Sequence, residues 1–169
     1  INETLECWEL ALKSGNTPSA IALSRQKVPY INPKYSQENM CEKGAYTVNL
    51  TSHESNVTLV ASGTEVELAL KVQDKLKENN IHSKVVSMPC MELFDKQPED
   101  YRKDILEENS LIITLEAGSP ISWQKYIKNK GANLGINEFG ESAPYKEVYK
   151  HFKLSEEDIT NFIQKKLRE

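Results

Sequence analysis

Apolar positions along this chain follow two spacings. Short β-branched runs stand between polar turns, and longer stretches carry an apolar residue at every third or fourth position. The clearest case is Val57–Thr58–Leu59–Val60–Ala61, followed by Ser62–Gly63–Thr64, a helical pattern, and then Lys84–Val85–Val86–Ser87–Met88–Pro89. Strand, glycine turn, helix and second strand make the unit that seeds a parallel sheet.

The same grammar extends in both directions. Asn2 is placed to cap a first helix with Leu5, Trp8 and Leu12 at helical spacing, ending near Ser14–Gly15. Residues 20–23, Ala20–Ile21–Ala22–Leu23, predict a short strand buried on both faces, stopped by Ser24–Arg25–Gln26–Lys27. Residues 45–50 predict another strand. The connection from it to Val57 is too short for a helical crossover, so those two strands, if paired, are expected to be antiparallel, with the first at an edge.

The central helix carries Thr64 and, three residues on, Glu67, the spacing of a capping box. Its expected apolar stripe is Val66, Ala69 and Leu70, with Val72 and Leu76 beside it. Pro98 suits the first turn of a short helix that turns Tyr101 and Ile105 inward. Strands follow at residues 111–115 and 133–137, with a helix carrying Trp123, Tyr126 and Ile127 between them. Two helices close the chain, one around residues 145–149 and one capped by Ser155, with Ile159, Phe162, Ile163 and Leu167 as its buried stripe. The predicted architecture is a three-layer α/β/α domain from about Ala45 to the end. Its mixed sheet has five strands, four parallel and one at an antiparallel edge.

Composition narrows the function more than the fold. The 169 residues carry a formal charge of −4 with acids and bases interspersed, which leaves no footprint for nucleic acid or an anionic membrane surface. Cys7, Cys41 and Cys90 are odd in number and far apart, as in reduced thiols of a cytoplasmic protein. His53, His82 and His151 stand alone, so no metal site is expected. No leader or long apolar run occurs, and the start at Ile1 rather than Met reads as a cut into something larger. Residues 28–44, with Pro29, Pro33 and no periodicity, mark a boundary. Residues 1–30 are expected to be the tail of a preceding domain, 31–44 a linker and 45–169 the domain proper.

Four features bear on chemistry. Arg25 ends a predicted buried strand, where open α/β sheets place ligands, and its guanidinium suits a phosphate or carboxylate; the plainer reading is a local ion pair. Ser62–Gly63–Thr64–Glu65 opens a helix but has neither the lysine nor the glycines of nucleotide-binding loops, and reads as a capped start. Glu116 and Glu141 sit in strand-end loops and make an acid–base pair only if those loops converge. Cys90 has no histidine near it in sequence, and Trp123 and Tyr126 read as core.

Six ordered segments carry a family resemblance. They are Leu23–Ser24–Arg25–Gln26, Ala61–Ser62–Gly63–Thr64–Glu65–Val66, Val86–Ser87–Met88–Pro89, Phe94–Asp95–Lys96–Gln97, Glu116–Ala117–Gly118 with Trp123, and Phe139–Gly140–Glu141–Ser142–Ala143–Pro144. Together they resemble the carboxyl-terminal part of transketolase, and Asn2–Glu3–Thr4 resembles the start of the last helix of that family's pyrimidine-binding domain. The resemblance implies a full-length enzyme of the pentose phosphate pathway that moves a two-carbon ketol unit between sugar phosphates. It implies thiamine diphosphate, a divalent metal (Mg or Ca) and a homodimer.

The cofactor machinery would lie in the missing N-terminal domains of the same chain, so no catalytic, cofactor-binding or metal-binding residue is expected here. The one residue carried over by motif is Arg25, which resembles the arginine that grips the substrate phosphate. Lys27 stands where many relatives have asparagine. Two alternatives remain at this point. One is a regulatory ligand-binding module rimmed by the loops at Ser62–Gly63–Thr64, Gly118–Ser119 and Gly140–Glu141–Ser142. The other is a related thiamine enzyme, such as deoxyxylulose phosphate synthase or a dehydrogenase β chain.

Overall fold

Three consecutive apolar runs become the centre of a sheet because each strand is buried over its full length. The structure, a computed structural model, describes residues 1–24, 26–31, 38–52, 54–107, 109–127 and 131–169. Among these, β2 (Val57–Ala61) lies between β3 (Ser83–Ser87) and β4 (Leu111–Leu115), parallel to both, with Leu59 level with Val85 and Ile113. Beyond β4 lies the parallel β5 (Ala132–Leu134), and beyond β3 the antiparallel β1 (Tyr46–Leu50), giving the order β1-β3-β2-β4-β5. This is the expected mixed five-stranded sheet with one antiparallel edge.

Alternation along each strand divides the core in two. Val57, Leu59, Ala61, Val85, Leu111, Ile113 and Leu115 face α2 (Glu65–Glu78) and α6 (Glu156–Lys166), which contribute Val66, Ala69, Val72 and Leu76, and Ile159 and Ile163. On the other side Val60, Val86 and Ile112 meet Phe94 of α3 (Met91–Asp95), Ile105 of α4 (Glu99–Leu106), and Trp123 and Tyr126 of a 3₁₀ helix, Pro120–Tyr126. Sheet and two helical layers give the three-layer arrangement. Two buried polar side chains inside it are paired: Gln73 donates to Ser83 O at 2.9 Å and accepts from Asn49 Nδ2 at 2.7 Å, and Lys84 donates to Asp104 O at 2.6 Å, whereas the buried Ser83 Oγ has no partner among the described residues.

Several expectations shift. The edge strand β1 pairs with β3 and not with β2, because the β2–α2–β3 crossover delivers β3 to that side of β2 first. The intervening connection passes over the start of β3 and is clamped to it. Thr51 Oγ1 donates to Ser83 O at 3.0 Å, Asn56 N to His82 O at 2.9 Å, and His82 N to Asn56 Oδ1 at 3.0 Å. The last strand is shorter and earlier than expected, and the segment around Trp123 is 3₁₀. Tyr101 is only half-buried, its hydroxyl donating to Ala45 O at 2.7 Å, and Leu167 is 40% exposed at the frayed end of α6. Ser155 does cap α6, accepting from Asp158 N at 3.2 Å.

Residues 20–23 form no strand. Among the described residues no strand pairs with them, so their backbone groups have no ladder to join, and Ala20, Ala22 and Leu23 are exposed. The first helix, α1 (Asn2–Lys13), forms at the expected place, but Ile1 is its N-cap and Asn2 instead donates to Tyr30 Oη at 3.2 Å. It meets the remainder of the chain through a polar face. Glu3 accepts from Tyr46 Oη at 2.9 Å and Ser87 Oγ at 2.5 Å, and Glu6 accepts from Cys41 N at 3.1 Å. Its apolar residues Ile1, Leu5, Trp8 and Leu12 lie on the opposite face and are 50–78% exposed.

Candidate functional site

In this sheet the chain leaves β2 toward β3 on one side and later adds β4 on the other. The crevice outside the carboxyl ends of β2 and β4 is therefore where a ligand site is expected. A cleft of about 1070 Å³ occupies that position, bounded by the start of α2, the end of β4, α5 (Tyr145–His151), the first turn of α6, and residues 26–28. Gly63, at φ 55°, makes the turn out of β2, a backbone conformation that costs a side chain with Cβ.

The start of α2 is built differently from the capping box the sequence suggested. Thr64 has helical dihedrals (φ −64°, ψ −29°), its hydroxyl donates to Glu65 Oε1 at 2.8 Å, and Glu67 pairs instead with Lys71 at 2.8 Å. The first turn closes through its own backbone, Glu65 N to Ser62 O at 3.2 Å and Val66 N to Gly63 O at 3.4 Å. Those two N–H groups are occupied, so the helix start offers an anion little.

Two carboxylates reinforce that conclusion. Glu65 is buried, only 6% exposed, and also accepts from the Tyr149 hydroxyl of α5. Glu116, at the end of β4, accepts from Trp123 Nε1 at 3.2 Å. Burial pushes the Glu116 carboxyl above the usual carboxylate range, the Trp123 bond opposes this, and the charge of Glu65 adds to the rise. Burial and the bond to Glu65 likewise push the Tyr149 phenol up, so it acts as a donor and not as a base. The Glu65–Tyr149 bond ties α2 to α5, the Glu116–Trp123 bond ties the end of β4 to the 3₁₀ helix, and the two carboxylates give the cleft floor an acidic character.

Arg25 lies outside the described residues, although Gln26, Lys27 and Val28 after it line the cleft. Glu116 and Glu141 do not form the conditional pair: the acid that bears on Glu116 is Glu65, and Glu141 is exposed in its loop. Cys90 donates to Glu92 Oε2 at 3.6 Å and its thiol is pushed up, chiefly by burial, which disqualifies it as a nucleophile. Trp123 and Tyr126 are core, as expected, with Tyr126 donating to Asp95 Oδ1 at 2.9 Å. Among the described residues no group of three or more His, Cys, Asp and Glu side chains could hold a metal. Glu65 and Tyr149, eighty-four residues apart, escaped the sequence reading. Glu65 looks there like an ordinary acid in a first turn, and nothing local announces its partner.

Comparison with known proteins adds what the cleft alone leaves open. Residues 44–155 match the model of the transketolase-like C-terminal domain. The transketolase of Aquifex aeolicus is 38% identical over 167 residues, covering 98% of this chain and 24% of that protein. That of Rhodobacter capsulatus is 40% identical over 163 residues, covering 93% of the chain and 24% of the relative. A transketolase crystal structure from Pichia stipitis superimposes with a TM-score of 0.88 at 32% identity, over 99% of this chain and 24% of that one. The chain thus spans about a quarter of the length of the relatives it matches. With the sheet order, the carboxyl-end crevice and a family match over two-thirds of its residues in agreement, this chain belongs to the transketolase C-terminal domain family.

Proposed function

We propose that the full-length protein carrying this chain is a transketolase. It transfers a two-carbon ketol unit from a ketose phosphate to an aldose phosphate, as a homodimer, with thiamine diphosphate and a divalent metal. The observation that carries this reading is the continuous likeness to transketolases along nearly the whole chain, 98% of it in one relative. The reduced cysteines favour a cytoplasmic setting, and among the described residues no helix is long and apolar enough to cross a membrane.

Within that protein, residues 1–30 are assigned to the end of the preceding domain, 31–44 to a linker and 45–169 to the C-terminal domain. Two observations support the division. The family match begins at residue 44, and α1 turns its apolar stripe away from this chain's core, as a helix does when its own core lies in a domain beyond this stretch.

Thiamine diphosphate supplies carbanion chemistry when bound. The described residues do not fit it: the start of α2 has its first N–H groups occupied and faces Glu65 and Glu116, which oppose a diphosphate, and no metal-ligand cluster accompanies them. No step of that chemistry is therefore given to residues of this chain. Its proposed contribution is Arg25, whose guanidinium pairs two oxygens of the substrate phosphate and so anchors the end of the sugar remote from the reacting carbons.

The test is steady-state kinetics on the full-length enzyme with Arg25→Ala. Losing a charge-assisted pair should raise KM for phosphorylated sugars roughly 10–100-fold and leave unphosphorylated acceptors little changed. An unchanged KM assigns Arg25 to a structural ion pair.

A further inference from the structure

On the face of the sheet opposite α2 and α6, a cavity of about 300 Å³ opens between α3, α4 and the 3₁₀ helix Pro120–Tyr126. That volume is at the lower end of what small-molecule sites take, about 300–1,000 Å³. Phe94, Leu106 and Ile112 give it apolar walls, and Tyr126 stands edge-on to Phe94 with ring centroids 5.7 Å apart. It shares no lining residue with the cleft at the carboxyl ends of β2 and β4.

Five charged side chains among the described residues line this cavity, and four of them are matched. Lys125 pairs with Asp95, whose other oxygen accepts from the Tyr126 hydroxyl at 2.9 Å. Lys103 pairs with Glu99, one helical turn back, at 2.6 Å. The fifth is Arg102, half-buried on α4, whose Nε–H is shut off from solvent with no hydrogen-bond partner among the described residues. Its charge reaches Asp95, but both Asp95 oxygens are already bonded, to Lys125 and to Tyr126. A buried donor without an acceptor forfeits its hydration with no return, so native proteins seldom leave one in that state.

We propose that this cavity binds a monocarboxylate with an apolar body, the carboxylate on the Arg102 guanidinium and the body against Phe94, Leu106 and Ile112. An arginine presents its Nε–H and one terminal N–H as a parallel pair, and a carboxylate accepts both. Charge then selects the ligand class. Three cations and two acids line the cavity, which leaves one positive charge over, and a single carboxylate neutralises it. A doubly charged phosphate would bring a second negative charge up to Asp95 and Glu99, which have no cation left to offer it. The apolar walls in turn favour a body that a small inorganic anion lacks.

The proposal rests on contacts within the chain and not on the ketol-transfer reading. Its test is saturation-transfer NMR on the full-length protein with phenylacetate as the probe. Phenylacetate should bind saturably, and its neutral isostere phenylacetamide about tenfold or more weakly, the scale of losing a charge-assisted pair. Inorganic phosphate at the same concentration should not displace it. Arg102→Gln should weaken phenylacetate by about the same factor, and Arg25→Ala should leave it unchanged. No saturable binding, equal binding of acid and amide, or displacement by phosphate overturns the proposal. Binding that survives Arg102→Gln overturns it too, as does binding lost with Arg25→Ala, which would place the probe on the other arginine. Arg102→Lys keeps the charge and the aliphatic stem without the paired donors, and it guards against misfolding of the glutamine variant. It should weaken phenylacetate severalfold, and unchanged binding would overturn the assignment.

Discussion

At Glu116 burial and the nearby charge of Glu65 raise the carboxyl's hold on its proton in the folded state above that in the unfolded chain. The folded form then binds more protons between the two values, and stability falls as pH rises through that window. The contribution is fully present below the unfolded carboxylate value, about 4, and is lost above the folded one. Glu116→Gln keeps an acceptor for Trp123 Nε1 but does not ionise. It should therefore melt higher than the unaltered protein at pH 8, with the difference closing toward pH 4, in a series of melting curves across that range. A difference independent of pH would mean that ionisation of Glu116 is not what the site resists. Single residues of this kind show where sequence reading stops. Glu116 was visible as a strand-end acid, but its partners Glu65 and Trp123 were assigned to a capped helix and to the core, and only the fold shows that those positions converge.

Elements were more legible than their neighbours. β2 and β4 follow from unbroken apolar runs, and α6 from Ser155 ahead of three acids, because each signal is local to the element it specifies. The partner of β1 was not, since pairing depends on which strand the crossover delivers first, and residues 20–23 carry a strand's composition with no strand beside them among the described residues. Junctions between elements are the most sensitive points. Gly44 ends the 3₁₀ turn at φ 80°, and a Cβ there would stand 2.3 Å from both Cys90 O and Phe94 N, the backbone of the N-cap and body of α3. Neither atom belongs to a flexible side chain. Gly44→Ala should destabilise the fold by about 2–4 kcal/mol in denaturant unfolding. A loss of under about 0.5 kcal/mol would show that α3 shifts freely from β1, contrary to the packing of Phe94 in the core.

On the scale of the whole molecule, the chain is a sheet domain with a helix attached by its polar side. α1 gives Glu3 and Glu6 to this domain and offers Leu5, Trp8 and Leu12 outward. The chain spans about a quarter of the length of the transketolases it matches, and the family match starts at residue 44, after α1. The most direct measurement is a ketol-transfer assay on the purified full-length protein, with a ketose phosphate donor, an aldose phosphate acceptor, thiamine diphosphate and magnesium. Residues 1–169 alone are assayed in parallel. Cofactor-dependent transfer by the full-length protein and none by residues 1–169 is the predicted result; no transfer by the full-length protein, or turnover by residues 1–169 alone, would contradict it.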